Sequence, residues 1–189
     1  MPAPSPPPVR IHVAQVDAAS APEVRALRAA PEQTACVGDH AFNLLDAERD
    51  PLSEPMAVFA GPAVVGFYRL DFAPNAIAGR SLGAPSVGLR AMLIDARMQG
   101  RGYGTRAVRA CCADLRRRHP RRRVLALAVH RGNRAALAAY RRAGFLDSGE
   151  QLAGGDAGPQ QLLLYWLHGS AQGDAPGRRP PAPIDQSPP

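Results

Sequence analysis

The chain has 189 residues, of which 46% are hydrophobic, and carries a formal net charge of +7. This length suits one domain with a hydrophobic core, and the apolar fraction argues against a wholly disordered chain. All 23 basic residues are arginine, which excludes chemistry that needs a lysine, such as a Schiff base or a Walker A loop.

Other compositional features bear on the cellular setting. No apolar run reaches the ~20 residues that a membrane span needs, and the N-terminus lacks the basic and then apolar order of a secretory signal. The three cysteines (Cys36, Cys111 and Cys112) show neither metal-ligand spacing nor a disulfide pattern. We therefore expect a cytoplasmic protein without a bound metal or a membrane partner.

Proline-rich ends flank the predicted domain. Residues 1–8 and 169–189 are rich in proline and small or polar residues, and proline can neither donate to a sheet nor continue a helix. We predict that both ends are disordered and that residues 9–168 form the domain.

The first half of this domain alternates between strand and helix patterns. Val9–Asp17 is predicted to be a strand and Ala21–Ala30 a helix. Pro31–Pro55 is predicted to contain short helices and loops. The next two apolar runs, Met56–Gly61 and Ala63–Phe72, predict a hairpin that turns at the Gly-Pro pair.

The second half continues with alternating elements. Apolar runs predict strands and helical spacing predicts helices, in the order strand Val87–Ile94, helix Thr105–Arg118, strand Val124–Val129, helix Arg134–Ala143 and strand Pro159–His168. Gly144 is a good residue to end the second of these helices. The order predicts a mixed α+β fold with a mostly antiparallel sheet and one βαβ crossover.

A glycine-rich stretch, Gln99–Gly104 (QGRGYG), lies between a predicted strand and a predicted helix. Free N–H groups at a helix N-terminus attract phosphate, and glycine lets an anion approach the backbone. A dinucleotide fold would need the spacing GxGxxG, and a P-loop would need a lysine. A pyrophosphate site of another type and a simple tight turn both remain open on this stretch alone.

A second motif lies in His130–Phe145. Asn133 is a natural N-cap for the helix that follows, and Tyr140, two turns later, projects from nearly the same face. With these two motifs in this order, the chain resembles the GNAT superfamily of N-acetyltransferases. Gln99–Gly104 matches the acetyl-CoA motif Q/R-x-x-G-x-G/A, and the motif N-x-x-A-x-x-x-Y-x-x-x-G-F is matched by Asn133, Ala136, Tyr140, Gly144 and Phe145.

Further stretches are similar to particular bacterial members. Leu89–Thr105, with LR-x-x-x-ID, and Ser148–Leu164, with GPQ, resemble one bacterial subgroup. Pro31–Gln33 and Val64–Leu70 resemble polyamine and diamine acetyltransferases. The resemblance implies a GNAT-like fold in which the fourth and fifth strands splay apart, and acetyl-CoA as the co-substrate.

The resemblance also implies roles for individual residues. The pyrophosphate would be held by the loop residues Gln99, Gly100, Arg101, Gly102, Tyr103, Gly104 and Thr105. Backbone groups of Met92, Leu93 and Ile94 would hold the pantetheine arm, and the N–H of Leu93 would polarise the thioester carbonyl. Asn133 would contact the cofactor arm. Tyr140 would also contact the cofactor and would protonate the leaving thiolate as general acid.

The general base and the acceptor are less constrained. The resemblance implies a basic carboxylate on the fourth or fifth strand, but these strands contain none here. This departure leaves Asp71, His130, the acids of the early segment or a chain of waters. Pro31–Pro55 has six acids against Arg49 alone, a net charge of −5. The resemblance implies that this segment forms one wall of the acceptor cleft. An acidic wall there predicts a cationic amine or polyamine as acceptor, with Glu32 and Gln33 in contact with it, although a solvated acidic face is the alternative.

We therefore predict direct acetyl transfer to a small primary amine in a ternary complex, by a monomer or homodimer. The alternative is a non-catalytic acyl-CoA-binding module with a regulatory or interaction role.

The arginine-rich stretch Arg116–Arg123 lacks aromatic residues and a recognition motif. We read it as a solvated helix end that could also reach the 3′-phosphate of coenzyme A, and expect no specific nucleic-acid partner.

Overall fold

The computed structural model describes residues 9–33, 40–154 and 158–169. These residues form seven strands: β1 Ile11–Gln15, β2 Ser53–Ala60, β3 Ala63–Asp71, β4 Ser86–Ile94, β5 Val124–His130, β6 Leu146–Leu152 and β7 Gln160–Trp166. They also form four α-helices: α1 Ala21–Arg25, α2 His40–Arg49, α3 Tyr103–Arg118 and α4 Arg134–Ala143. The ends predicted to be disordered lie outside the described residues, except for Gly169.

The strands form one sheet in the order β1-β2-β3-β4-β5-β7-β6. Every neighbouring pair is antiparallel except β4 and β5, which are parallel and joined through α3. Their pairing covers only three residues on each strand, Ser86–Gly88 against Val124–Ala126. Beyond these residues the two strands diverge, so the predicted α+β fold with splayed fourth and fifth strands is confirmed.

Helices cover both faces of this sheet. Met56, Val58 and Tyr68 belong to a buried cluster with residues of α3 and α4. Ala57 and Phe67 belong to a second cluster with residues of α1 and α2. Because side chains alternate between the faces of a strand, β2 and β3 are apolar on both sides and lie at the centre of the core. None of the helices in the described part of the chain is long and apolar enough to cross a bilayer.

Most predicted elements are present with small shifts at their ends. The hairpin turns at Gly61-Pro62 as predicted, and helix Arg134–Ala143 has the predicted bounds. The first strand is shorter than Val9–Asp17, and α3 begins at Tyr103 rather than at Thr105. The segment predicted as helices and loops also supplies the first residues of β2, from Ser53 onward.

Two predictions of secondary structure differ from the structure. The helix predicted over Ala21–Ala30 ends at Arg25, because both backbone groups of Arg28 bond elsewhere, to the Asp95 carboxylate and to the N–H of Ala96. β6 was not predicted. Its side chains are mostly exposed without an apolar alternation, since it is an edge strand that pairs only with β7.

Candidate active site

The glycine-rich loop opens at the first turn of α3. Gly100 and Gly102 have φ angles of +75° and +71°, a left-handed conformation that glycine adopts without a Cβ penalty. Gly102 is the N-cap residue of α3, which has 16 residues and a partial positive charge at this end. Apart from chain neighbours, no described heavy atom lies within 4 Å of where a Cβ would stand at either glycine. The loop amides are therefore open to an anion such as a pyrophosphate.

A pair of amide side chains fixes the start of the loop. Nε2 of Gln99 donates to the carbonyl oxygen of Ile94 at 2.9 Å and to Oε1 of Gln33 at 2.8 Å. Gln33, which was predicted to contact the acceptor, thus bonds to the loop that follows β4. The side chain of Glu32, the other predicted acceptor contact, lies outside what the structure describes.

A buried carboxylate braces the other side of the loop. Asp95 caps the 3-10 turn Ala96–Met98 and accepts hydrogen bonds from the Arg97 guanidinium and from the backbone N–H of Arg28 at 3.1 Å. The Arg97 guanidinium lowers the pKa of Asp95 to about 2, together with the backbone N–H groups of Arg97 and Arg28. The ionised side chain therefore ties the loop to the segment after α1.

A bulge bends β4 where it leaves β5. Ala91 has a φ of +51° and is the one non-glycine residue with a positive φ in the described part of the chain. The register between β3 and β4 shifts opposite this position, between Phe67 and Arg69. A bulge bends its strand and increases its twist, which fits the divergence of β4 from β5.

α4 places Asn133 and Tyr140 on the same side. Oδ1 of Asn133 accepts from the backbone N–H of Ala136 at 3.1 Å, so Asn133 is the predicted N-cap. The Tyr140 ring packs against Phe145 with 5.6 Å between centroids. Burial raises the pKa of Tyr140 well above its ordinary value. Its hydroxyl has no hydrogen-bond partner among the described residues, and it stays protonated throughout the neutral range.

Two clefts meet at this tyrosine. The loop cleft, about 320 Å³, lies between the glycine-rich loop, the end of β4 and α4. The strand cleft, about 290 Å³, lies between the diverging parts of β4 and β5 and is bordered by α2 and the segment after β3. Four residues line both clefts, namely Met92, Asn133, Ala136 and Tyr140. A ligand in either cleft can therefore reach Tyr140.

A family comparison identifies this arrangement. The model of the acetyltransferase (GNAT) family matches residues 21–145, which include the glycine-rich loop, both clefts' shared residues and Phe145. The chain belongs to the GNAT acetyltransferase family. It is accordingly an enzyme that uses acetyl-CoA as co-substrate. The open loop amides, the positive helix end and the adjoining loop cleft fit a coenzyme A pyrophosphate and its arm.

Solved structures share this GNAT fold at low sequence identity. An aminoglycoside acetyltransferase, AAC(6')-Ib, in complex with coenzyme A has a TM-score of 0.64 and 16% identity, and the match covers 83% of this chain and 95% of that one. Spermidine N-acetyltransferase from Vibrio cholerae, with CoA and spermine, has a TM-score of 0.62 and 12% identity over 83% and 95%. An aminoglycoside N(6')acetyltransferase from Legionella pneumophila has a TM-score of 0.65 and 13% identity over 84% and 93%. No curated protein matches the sequence.

Most residues predicted to bind the GNAT co-substrate line the loop cleft. These are Met92, Ile94, Gln99, Gly100, Gly102, Tyr103, Gly104, Thr105, Asn133 and Tyr140. Arg101 is exposed and Leu93 is buried, and neither lines the cleft. Sequence reasoning missed the small residues of α4 that widen it, Ala135, Ala138 and Ala139, because an alanine-rich helix face has no distinctive pattern.

The N–H groups of β4 point differently from what the predicted role of Leu93 in polarising the thioester carbonyl requires. The N–H of Asp95 donates to the carbonyl oxygen of Val65 on β3, and Leu93 pairs with Phe67 on the same strand. Because alternate residues of a ladder point to opposite sides, the N–H of Leu93 also faces β3. The amides that face the splay are those of Met92 and Ile94.

The two side chains predicted as candidate bases have different surroundings. Oδ2 of Asp71 lies 3.3 Å from Nε of Arg90, its Oδ1 accepts from the N–H of Ala73, and it lines neither cleft. His130 lines the strand cleft. Its Nδ1 accepts from the backbone N–H of Gly132 at 3.1 Å. The structure thus brings His130, but not Asp71, to a cleft.

The acidic early segment is largely neutralised within the fold. Asp46 and Asp50 both pair with the buried Arg69, and Glu48 pairs with Arg25 at 3.8 Å. Glu54 lies 2.7 Å from Arg118 and 3.2 Å from His119. Asp39 lies outside the described residues. Four of the six acids therefore hold neighbouring elements together instead of facing an acceptor.

The arginine-rich stretch at the end of α3 is also engaged internally. Four of its six arginines bond to other parts of the chain: Arg116 to the Tyr165 hydroxyl, Arg117 to Asp114, Arg118 to Asp114 and Glu54, and Arg122 to the Ser86 carbonyl. The stretch lies at the opposite end of α3 from the glycine-rich loop, about 22 Å along the helix axis. A contact with a 3′-phosphate near that loop would require a long reach.

Proposed function

We propose that this GNAT enzyme transfers the acetyl group of acetyl-CoA directly to the primary amine of a small molecule, in a ternary complex. One observation carries the proposal: Tyr140 lines both the loop cleft and the strand cleft, and its hydroxyl is protonated and has no hydrogen-bond partner among the described residues. The loop residues and the free amides of Met92 and Ile94 would hold the co-substrate, and the amine would enter through the strand cleft.

Different groups of the chain would contribute to different steps of the transfer. An N–H of β4 that faces the splay stabilises the charge that develops on the carbonyl oxygen. The amine nitrogen forms a bond to the carbonyl carbon as the C–S bond breaks, and the Tyr140 hydroxyl gives its proton to the sulfur. None of the described residues that line the strand cleft is a carboxylate, so we infer that the amine proton leaves through water, from which Tyr140 is reprotonated.

The net charge of residues 31–55 gives little support to a cationic amine or polyamine as acceptor, because four of the six acids there are in ion pairs. The spermidine N-acetyltransferase and the aminoglycoside acetyltransferases are similar to this chain in fold at 12–16% identity, which supports a shared fold and not a shared acceptor. The cytoplasmic location and the oligomeric state remain predictions.

A thiol-release assay with acetyl-CoA over a panel of amines, amino acids and polyamines tests the proposal. We expect release of coenzyme A that depends on an acceptor, with initial-rate patterns that intersect when both substrates are varied. Parallel patterns would indicate a covalent acetyl-enzyme and contradict direct transfer. Binding of acetyl-CoA without turnover of any amine would favour the alternative, a non-catalytic acyl-CoA-binding module.

A further inference from the structure

The strand cleft has a positive and donor-rich lining. Arg90 is the only charged side chain among the described residues that line it, and no described carboxylate does so. Its other polar side chains include Asn43, His130 and Gln160. A cationic acceptor would meet no opposite charge among these residues, whereas an anionic group would meet the guanidinium of Arg90.

The position of Arg90 is fixed by two contacts. Its Nε lies 3.3 Å from Oδ2 of Asp71, and its Nη2 donates to the carbonyl oxygen of Ala76. The Arg90 side chain is 46% exposed whereas that of Asp71 is 8% exposed, so the cationic end of this pair faces solvent. A guanidinium has five N–H donors in a planar fork, which leaves donors for a ligand carboxylate.

His130 adds a donor to the same cleft. Because Nδ1 of His130 accepts the N–H of Gly132, the neutral ring carries its proton on Nε2. His130 is therefore better suited to donate a hydrogen bond to an anion than to accept the proton of an amine.

We propose that the acceptor is a small amine that carries a carboxylate, as an amino acid does, and that Arg90 binds this carboxylate and determines specificity. The inference rests on the proposed function and narrows its acceptor class. Arg90 lies on β4 next to the bulge at Ala91, so a carboxylate bound there keeps the attached amine close to the splay and to Tyr140.

Matched acceptors test this inference. For several side chains, kcat/KM is measured with an amino acid, its carboxamide and the corresponding amine without the carboxyl group, each expressed per unprotonated amine because these groups change the amine pKa. We expect the wild type to prefer the carboxylate about 10- to 100-fold, the range of a charge-assisted hydrogen bond. Arg90→Gln should bring this ratio close to one while turnover of the carboxamide changes little, and Arg90→Lys should restore part of it.

Arg80→Gln is the matched control. Arg80 also anchors the segment between β3 and β4, through the Ser81 carbonyl and Glu150, but it does not line the strand cleft. This variant should keep the wild-type preference for the carboxylate. If Arg80→Gln and Arg90→Gln both reduce kcat/KM by the same factor for every acceptor, Arg90 only anchors the segment and the inference fails.

The outcomes separate this inference from the proposed function. Turnover of amines with a preference for polyamines, or for the carboxamide over the amino acid, would refute the inference and leave acetyl transfer intact. Absence of turnover with every amine would refute the proposed function and the inference together. Loss of the carboxylate preference in Arg90→Gln alone, with turnover of the carboxamide retained, would support both.

Discussion

Replacement of Tyr140 by phenylalanine isolates the proposed proton transfer from any structural role. The Tyr140 hydroxyl has no hydrogen-bond partner among the described residues, so its removal breaks no bond. The ring keeps its contact with Phe145. We therefore expect the free energy of unfolding to change by less than about 0.5 kcal/mol.

The expected loss of activity is much larger. General acid catalysis contributes about 10²- to 10⁴-fold to a rate, so kcat of Tyr140→Phe should fall by this factor, or about 3–5 kcal/mol in the barrier. The KM for acetyl-CoA should change little, since no ground-state bond to the protein is lost. Burial raises the pKa of Tyr140 far above neutrality, so the wild-type rate should show no decline from its ionisation between about pH 6 and 9.

The assay is thiol release with the best acceptor, run beside thermal unfolding. Tyr165→Phe serves as the control, because the Tyr165 hydroxyl accepts a hydrogen bond from Arg116 at 2.7 Å and lies outside both clefts. The control should lose at most about 1 kcal/mol of stability and no kcat. If Tyr140→Phe kept kcat within twofold of the wild type, Tyr140 would not be the general acid.

Three further substitutions test the loop and the sheet. The pKa of Asp95 is lowered to about 2 from 3.8, so its stabilisation is present above about pH 4 and is lost as the pH falls toward 2. Asp95→Asn should lower the free energy of unfolding by about 1–2 kcal/mol at pH 7 and flatten this acid dependence, and unchanged urea midpoints at pH 7 and 3 would contradict the bracing role. Gly102→Ala places a Cβ at a φ of +71°, so it should lower the free energy of unfolding by about 1–2 kcal/mol and reduce the rise in melting temperature caused by coenzyme A. Gly102→Asn should have smaller effects on both. Equal effects of the two substitutions would argue against backbone strain. Gly66→Ala puts a Cβ 2.5 Å from the Leu93 carbonyl oxygen and should lower stability by about 1–3 kcal/mol, which a wild-type melting curve would refute.

The local parts of the fold could be predicted from the sequence. Helix α4 has an N-cap at Asn133 and a left-handed Gly144 at its end, and both signals lie within the segment itself. The termination of α1 at Arg25, before the predicted Ala30, could not be predicted in the same way. It depends on the contact between Arg28 and Asp95, which lies 67 residues later in the chain. The edge strand β6 gave no signal, since only one of its edges is hydrogen-bonded to a neighbouring strand and none of its side chains is buried.

In the candidate site, too, local features could be predicted from the sequence and contacts between distant residues could not. The spacing within the loop and between Asn133 and Tyr140 placed these residues in the cleft, because each motif encodes its own backbone geometry. The bond between Gln33 and Gln99 and the ion pairs of Arg69 join residues far apart in sequence, and spacing carries no information about them. The direction of the Leu93 amide likewise depends on which edge of β4 pairs with β3.

The meeting of the two clefts at Tyr140 has a consequence for the order of events in turnover. The loop cleft is also bordered by α3, and the strand cleft by α2 and the segment after β3, so we expect the two clefts to be entered from different sides. Neither reactant has to pass the other on arrival, and each product can depart by the way its precursor came. The two reactants should therefore bind in random order, with free coenzyme A competing against acetyl-CoA and inhibiting noncompetitively against the amine.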